Sequence, residues 1–199
     1  MPKVSVTTEN AEAKANVKVL NEKPKAKAAL QKECGWPMEP KRPMICIPAG
    51  MTKSLGGKLF EQLLPGLLSM EVEILILGKG SSSYGSFITG LAEEQAHRFH
   101  IVPNKASAAS KMYKAADMAL FLSDPADLPE LSNCLKNGTV PITPETKALQ
   151  SYNPVQESGN AFLYKEGDVW QCFAAIIRAL ETHVFPFDWK TIQKNCLEG

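Results

Sequence analysis

Lys53 lies within, and Lys58 directly after, a glycine-bearing stretch, Ala49-Gly50-Met51-Thr52-Lys53-Ser54-Leu55-Gly56-Gly57. A short apolar run, Met44-Ile45-Cys46-Ile47, precedes it. A helical pattern follows, with Leu59, Phe60, Leu63, Leu64 and Leu67 on one face and Glu61 and Gln62 on the other. A cation beside a glycine turn at a helix N-terminus can meet a diphosphate. A solvated surface loop is the competing account of the same residues. The stretch is not a P-loop. Thr52 stands where the first glycine would be, and Gly57-Lys58 is followed by Leu59 instead of the hydroxyl residue that holds magnesium. Gly78-Lys79-Gly80 fails the same test and is too short for a GxGxxG dinucleotide fingerprint.

Other chemistries lack their residues. His97, His100 and His183 have no metal-ligand company in sequence, which favours surface or capping roles. The five cysteines, Cys34, Cys46, Cys134, Cys172 and Cys196, form no CxxC pair. An odd set of scattered thiols fits a reducing compartment better than a disulfide framework or a zinc site. There is no GxSxG elbow to present a nucleophile. No metal site, cofactor or catalytic residue is therefore assigned.

The elements that must position the loop read clearly. Val72 to Leu77 is an almost unbroken apolar run, as in a strand buried on both faces of a parallel sheet. Further strands are expected at Phe99–Val102, Met118–Leu122, Thr139–Ile142 and Ala161–Tyr164. Helices are expected from Phe87 up to about His97, over Ala106–Ala116, from a start at Ser123-Asp124-Pro125 through Leu128, Leu131 and Leu135 to a cap at Asn137-Gly138, and over Val169–Leu180 and Asp188–Leu197. Alternation of this kind predicts an α/β fold, a doubly wound, mostly parallel six-stranded sheet of Rossmann-like type. In such folds ligands bind at the carboxyl ends of the strands, where the loop at residues 49–57 lies.

The chain has 199 residues and 44% hydrophobic content, enough for one domain with a sizeable core plus a tail. Residues 1–24 are expected to be a flexible leader or linker, and 25–199 the domain, opening with a helix from Pro24 to Cys34. The lysines of the first thirty residues are interspersed with glutamates and read as solvated. A net charge of +1 gives no bias toward nucleic acid or anionic membrane. No apolar run approaches the roughly 20 residues needed to span a bilayer. The expected location is the cytoplasm or an organelle stroma.

Several stretches, in order, resemble the C-terminal, nucleotide-sugar-binding half of the glycogen synthase and starch synthase family, which are GT-B glucosyltransferases. Lys27-Ala28-Ala29-Leu30-Gln31-Lys32-Glu33-Cys34-Gly35-Trp36-Pro37 is similar to the family's KxALQxExGLP. Leu64-Pro65-Gly66-Leu67-Leu68 resembles a family helix, and Ile76-Leu77-Gly78-Lys79-Gly80 its LGxG strand end. Tyr113-Lys114-Ala115-Ala116-Asp117 is similar to YAGAD, and Gly138-Thr139-Val140-Pro141-Ile142 to YGTxPI. Gly159, Phe162 and Trp189 also match. The resemblance runs from about Lys25 to the C-terminus and implies a single half of a GT-B fold.

The departures fall on the chemistry. Against the family's donor loop SRLTxQKG, Gly50 stands for the arginine and Leu55 for the lysine, the two cations that neutralise the departing diphosphate. Against PSRFEPCGL, the residues from Leu122 to Leu128 keep only Ser123 and no aligned glutamate. Against TGGLxDTV, both glycines are lost in the segment from Thr146 to Asn153. The acceptor-side N-terminal domain has no counterpart in this length of chain. The resemblance therefore implies a catalytically degenerate domain, a binding or regulatory module in storage-polysaccharide metabolism. The alternative is one half of a split α-1,4-glucan glucosyltransferase using ADP-glucose or UDP-glucose, with a protein partner supplying the N-terminal domain. A remnant with no function beyond folding is a third reading. If a donor binds, the implied contacts are Thr52, Lys53, Gly56, Lys58, Ser123 and Thr146. The implied partners are a nucleotide sugar or glucan, and neither nucleic acid nor membrane.

Overall fold

The computed structural model describes residues 5–199, with side-chain surroundings from residue 13 onward. Helix α1 (Ser5–Glu33) leads into strand β1 (Met44–Ile47), followed by α2 (Gly57–Ser69), β2 (Glu73–Leu77), α3 (Ser82–Glu94) and β3 (Phe99–Val102). The second half continues with α4 (Ala106–Ala115), β4 (Met118–Leu120), α5 (Pro129–Leu135), β5 (Val140–Pro144), β6 (Phe162–Tyr164), α6 (Val169–His183) and α7 (Pro186–Glu198). The six strands form one sheet in the order β3-β2-β1-β4-β5-β6. Every pairing is parallel. The doubly wound architecture is thus as expected.

Register explains the unbroken apolar runs. Ile45 pairs with Ile74 on one side and Met118 on the other, and successive residues face opposite sides of the sheet. Ile45, Ile47, Ile74, Ile76, Leu120 and Ile142 pack with Phe60, Leu63, Leu91, Ile176 and Ile192. Met44, Cys46, Leu75, Leu77, Ala119 and Phe121 pack on the other face with Leu30, Met112, Tyr113, Leu131 and Cys134. Helices cover both faces, so each strand needs apolar side chains in both directions.

Two boundaries differ from expectation. Helix α5 begins at Pro129, after a loop that accepts Pro125 O→Leu128 N, with proline at its first position. Helix α1 begins at Ser5 and runs through Pro24, across the expected division at residue 24. Pro24 reads locally as a helix start, because it lacks the N–H that an interior turn uses. Here it lies on the exposed side, where water can reach the freed carbonyl. The preceding turn is held by tertiary contacts. Lys23 is 6% exposed, and its Nζ donates to Asn137 O and Thr139 Oγ1, each at 3.0 Å. The far end closes as expected at Gly35, in the left-handed region at φ 73°. Trp36 N–H donates to Gln31 O and Gly35 N–H to Lys32 O, the paired bonds of a Schellman cap.

Lys23 and Lys27 are also the exceptions to a solvated lysine-rich segment. Both are buried, because α1 lays them across the amino ends of the strands, where carbonyls and a carboxylate converge.

Candidate functional site

All the strands point one way, so the loops after β1, β2, β4 and β5 gather at one edge. The strand order turns between β1 and β4, the place where such sheets open a crevice for ligands. The predicted residues all stand along this edge. Thr52 and Lys53 lie in the loop after β1, Gly56 is the N-cap of α2 and Lys58 is in its first turn. Ser123 follows β4, and Thr146 follows β5.

Their surroundings differ. Thr52 serves the loop itself. Its Oγ1 accepts from Leu55 N–H at 3.1 Å and lies 3.0 Å from Ser54 Oγ, while its carbonyl accepts from Gly57 N–H at 3.0 Å. Lys53 and Lys58 are exposed, and Ser123 and Thr146 are partly exposed. Gly56 has φ 83°, and a Cβ there would lie 2.4 Å from Leu122 Cβ. The loop after β1 therefore docks on the exit of β4, one residue from Ser123, and only glycine allows that approach.

The same loop docks on the other side against the exit of β2. Met51 N–H donates to Lys79 O at 2.9 Å, and Ser81 N–H donates to Met51 O at 3.2 Å. Gly50 sits between them at φ 77°. A Cβ on residue 50 would lie 1.8 Å from the Lys79 carbonyl oxygen and 3.0 Å from Lys79 Cβ. No side chain, cationic or otherwise, fits at position 50 in this backbone.

Sequence reasoning missed a charge pair at this edge. Lys79 Nζ lies 3.0 Å from Glu130 Oε1, the lysine side chain 45% exposed and the glutamate 9%. Lys79 leaves β2 and Glu130 stands in the first turn of α5, after β4. In the sheet β1 lies between those two strands, so the pair spans the carboxyl end of β1. Glu130 Oε2 is buried without a hydrogen-bond partner. In sequence Lys79 is the middle of a failed phosphate loop and the variable position of the LGxG-like strand end. No signal in sequence links it to a carboxylate 51 residues away.

The neighbouring cavity has a volume of about 320 Å³ and lies on the β2 side of β1, lined by Met51, Gly78, Lys79, Ser81, Tyr84 and Ile88. None of the six predicted residues lines it. Its wall is apolar apart from the loop backbone, Lys79 and hydroxyls. No group of three or more His, Cys, Asp or Glu side chains that could hold a metal is found among the described residues. No described helix is long and apolar enough to cross a membrane.

A second polar cluster lies at the opposite, amino edge. Asp117 Oδ2 accepts from Lys27 Nζ at 2.7 Å and from Met44 N–H at 2.8 Å, and its Oδ1 lies 3.6 Å from His183 Nε2. Burial alone would raise the Asp117 carboxyl, but the neighbouring His183 imidazole and the charge of Lys27 hold it below the usual carboxylate value. His183, expected in a surface or capping role, closes α6 with a side chain only 12% exposed and packs edge-on to Trp189 with ring centroids 4.9 Å apart. These groups tie α1, β1, β4 and α6 together, on the side away from the carboxyl ends of the strands.

The chain is 32% identical over 191 residues to a glycogen synthase of Clostridium perfringens, covering 89% of this chain and 38% of that protein. It is 31% identical over 187 residues to a glycogen synthase of Lactobacillus acidophilus, covering 90% of this chain and 39% of that one. The chain thus spans well under half the length of these relatives. No family model matches it. Among solved structures, the catalytic domain of starch synthase IV from Arabidopsis thaliana, bound to ADP and acarbose, superposes with a TM-score of 0.72 at 18% identity, covering 89% of this chain and 39% of that one. The C-terminal domain of a group 1 glycosyl transferase from Francisella tularensis superposes at 0.57 with 17% identity, covering 79% of this chain and 85% of that domain. Sequence likeness across nine-tenths of the chain and the parallel six-stranded architecture agree: these residues form a glycogen-synthase-like domain, corresponding to one half of a GT-B glycosyltransferase.

Proposed function

We propose that this chain is a non-catalytic domain of glycogen-synthase type that acts by binding, as a regulatory or docking module in storage-polysaccharide metabolism. One observation carries the reading. The position that resembles the family's diphosphate-binding arginine is Gly50, whose left-handed backbone and contact with Lys79 O leave no room for any side chain. Losing one group that stabilises transition-state charge costs about a hundredfold or more in rate. Leu55 at the second cation position adds to that loss. Fold and function are separable, and the function has to be argued from the site.

The test has two parts. Melting is followed with and without millimolar ADP, UDP, ADP-glucose and UDP-glucose, since a ligand of the native state raises the melting temperature by mass action. Glucosyl transfer from either sugar nucleotide to glycogen is then assayed. The expected results are no shift and no transfer. Transfer by the purified chain would overturn the reading. Transfer only after adding a protein that supplies the N-terminal half would establish the split-enzyme alternative instead.

A further inference from the structure

We propose that the Lys79–Glu130 pair is an internal latch on a diphosphate-binding position: Lys79 is this chain's anion-binding cation, and the Glu130 carboxylate occupies it in place of a ligand. The inference rests on the proposed loss of donor chemistry and concerns the same edge of the sheet.

Three observations carry it. The first is position. Lys79 Cβ lies 3.0 Å from where a Cβ on residue 50 would stand, so its side chain starts from the place where a side chain at position 50 would have started. Position 50 carries no cation, and Lys79 stands beside it on the adjoining loop. The second is direction. From β2 the ammonium reaches Glu130 beyond β4, passing over the carboxyl end of β1 at the turning point of the strand order. The third is the state of the carboxylate. Glu130 is nearly buried, and Lys79 is the partner of Oε1, while Oε2 has none. A carboxylate serving fold stability alone would be expected to have both oxygens satisfied, because an unpaired buried oxygen costs free energy. A carboxylate and a phosphate make the same charge-assisted bond to an ammonium group. Glu130 therefore acts as a built-in mimic of the anion, and ligand and latch compete for one lysine.

The experiment uses the full chain and inorganic pyrophosphate, with ADP as a second probe, followed by calorimetric titration. Glu130→Gln keeps the side-chain volume and removes the competing charge. Its pyrophosphate affinity is expected to rise roughly tenfold or more over wild type, within the range of ordinary coupling between competing sites. The gain should vanish in the double variant Lys79→Met/Glu130→Gln. ADP binding that rises in parallel would assign the site to the diphosphate of a nucleotide. A gain for pyrophosphate alone would assign it to the free anion. Glu130→Asp, which draws the carboxylate back from Lys79, should give a smaller gain and serves if the glutamine variant does not fold. A folded Glu130 variant with wild-type affinity would sink the latch, as would a gain that survives loss of Lys79. Neither result bears on the proposed function. That reading fails if wild-type chain transfers glucose, alone or with a protein that supplies the N-terminal half, whatever the Glu130 variants do.

Discussion

Lys27 Nζ and Asp117 Oδ2 lie 2.7 Å apart, with side chains only 4% and 13% exposed, joining the first helix to the entry of the fourth strand across 90 residues of sequence. The contact is deep and has further partners. Lys27 also donates to Pro40 O and Arg42 O, and Asp117 accepts from Met44 N–H. It fixes how α1 lies against the amino ends of β1 and β4.

Asp117→Asn should therefore destabilise the domain by about 3–5 kcal/mol, because it leaves a buried ammonium without its counter-charge. The folded pKa of Asp117 is depressed, so its contribution is present above the ordinary carboxylate pKa and is lost as pH falls through the folded value. Urea unfolding of wild type should weaken along that acid limb, and the difference between wild type and variant should shrink with it. A difference that stays constant with pH would contradict the assignment.

Lys23 gives a slope of the same sign in an alkaline range. Burial lowers its pKa to about 8 from 10.5, with the charge of Asp117 only partly offsetting it. Between those values the unfolded chain holds the proton that the folded chain has released, so this group makes folding more favourable as pH rises. Cysteine and tyrosine ionisation acts the other way in the same range, so the test is a difference. Stability of wild type relative to Lys23→Met should improve by about 3 kcal/mol between pH 8 and pH 10.5. A flat difference profile would show that Lys23 stays charged in the fold.

Two glycines separate backbone strain from steric conflict. Gly35 and Gly50 have φ of 73° and 77°, but a Cβ at Gly35 meets nothing within 4 Å while one at Gly50 meets Lys79 O. Gly35→Ala should cost about 1 kcal/mol, the penalty for a side chain in the left-handed region. Gly50→Ala should cost clearly more, and Gly50→Arg should not restore a donor site. Recovery of nucleotide-sugar binding in a stable Gly50→Arg variant, read by thermal shift, would show that the loop can rearrange.

The thiols should be unreactive in the native state. Cys46, Cys134, Cys172 and Cys196 are buried and Cys34 is half-buried. Burial, together with the charges of Glu33 and Glu73, pushes the Cys34 thiol up to about 12. The thiolate is the reactive form, so alkylation at pH 8 should be slow at every position, with all five cysteines labelled in denaturant. Mass spectrometry after brief exposure to iodoacetamide reads this directly. Rapid labelling at Cys34 would mean that its surroundings open.

What the sequence determined is the class of fold. Runs such as Ile74 to Leu77 and the spacing of Leu59, Phe60, Leu63 and Leu67 are local signals, because strand and helix expose their faces at fixed periods. The same local order carries the likeness to glycogen synthases and marks Gly50 and Leu55 as departures. What tertiary structure alone decided is where charge ends up. Lys23 and Lys27 look solvated in sequence and are buried, because α1 lies across converging carbonyls and Asp117. Lys79 reads as the middle of a failed motif, yet it faces Glu130 over the end of β1. Charge partners 51 and 90 residues apart meet only once the strand order is set, and that order follows from packing both faces of the sheet at once.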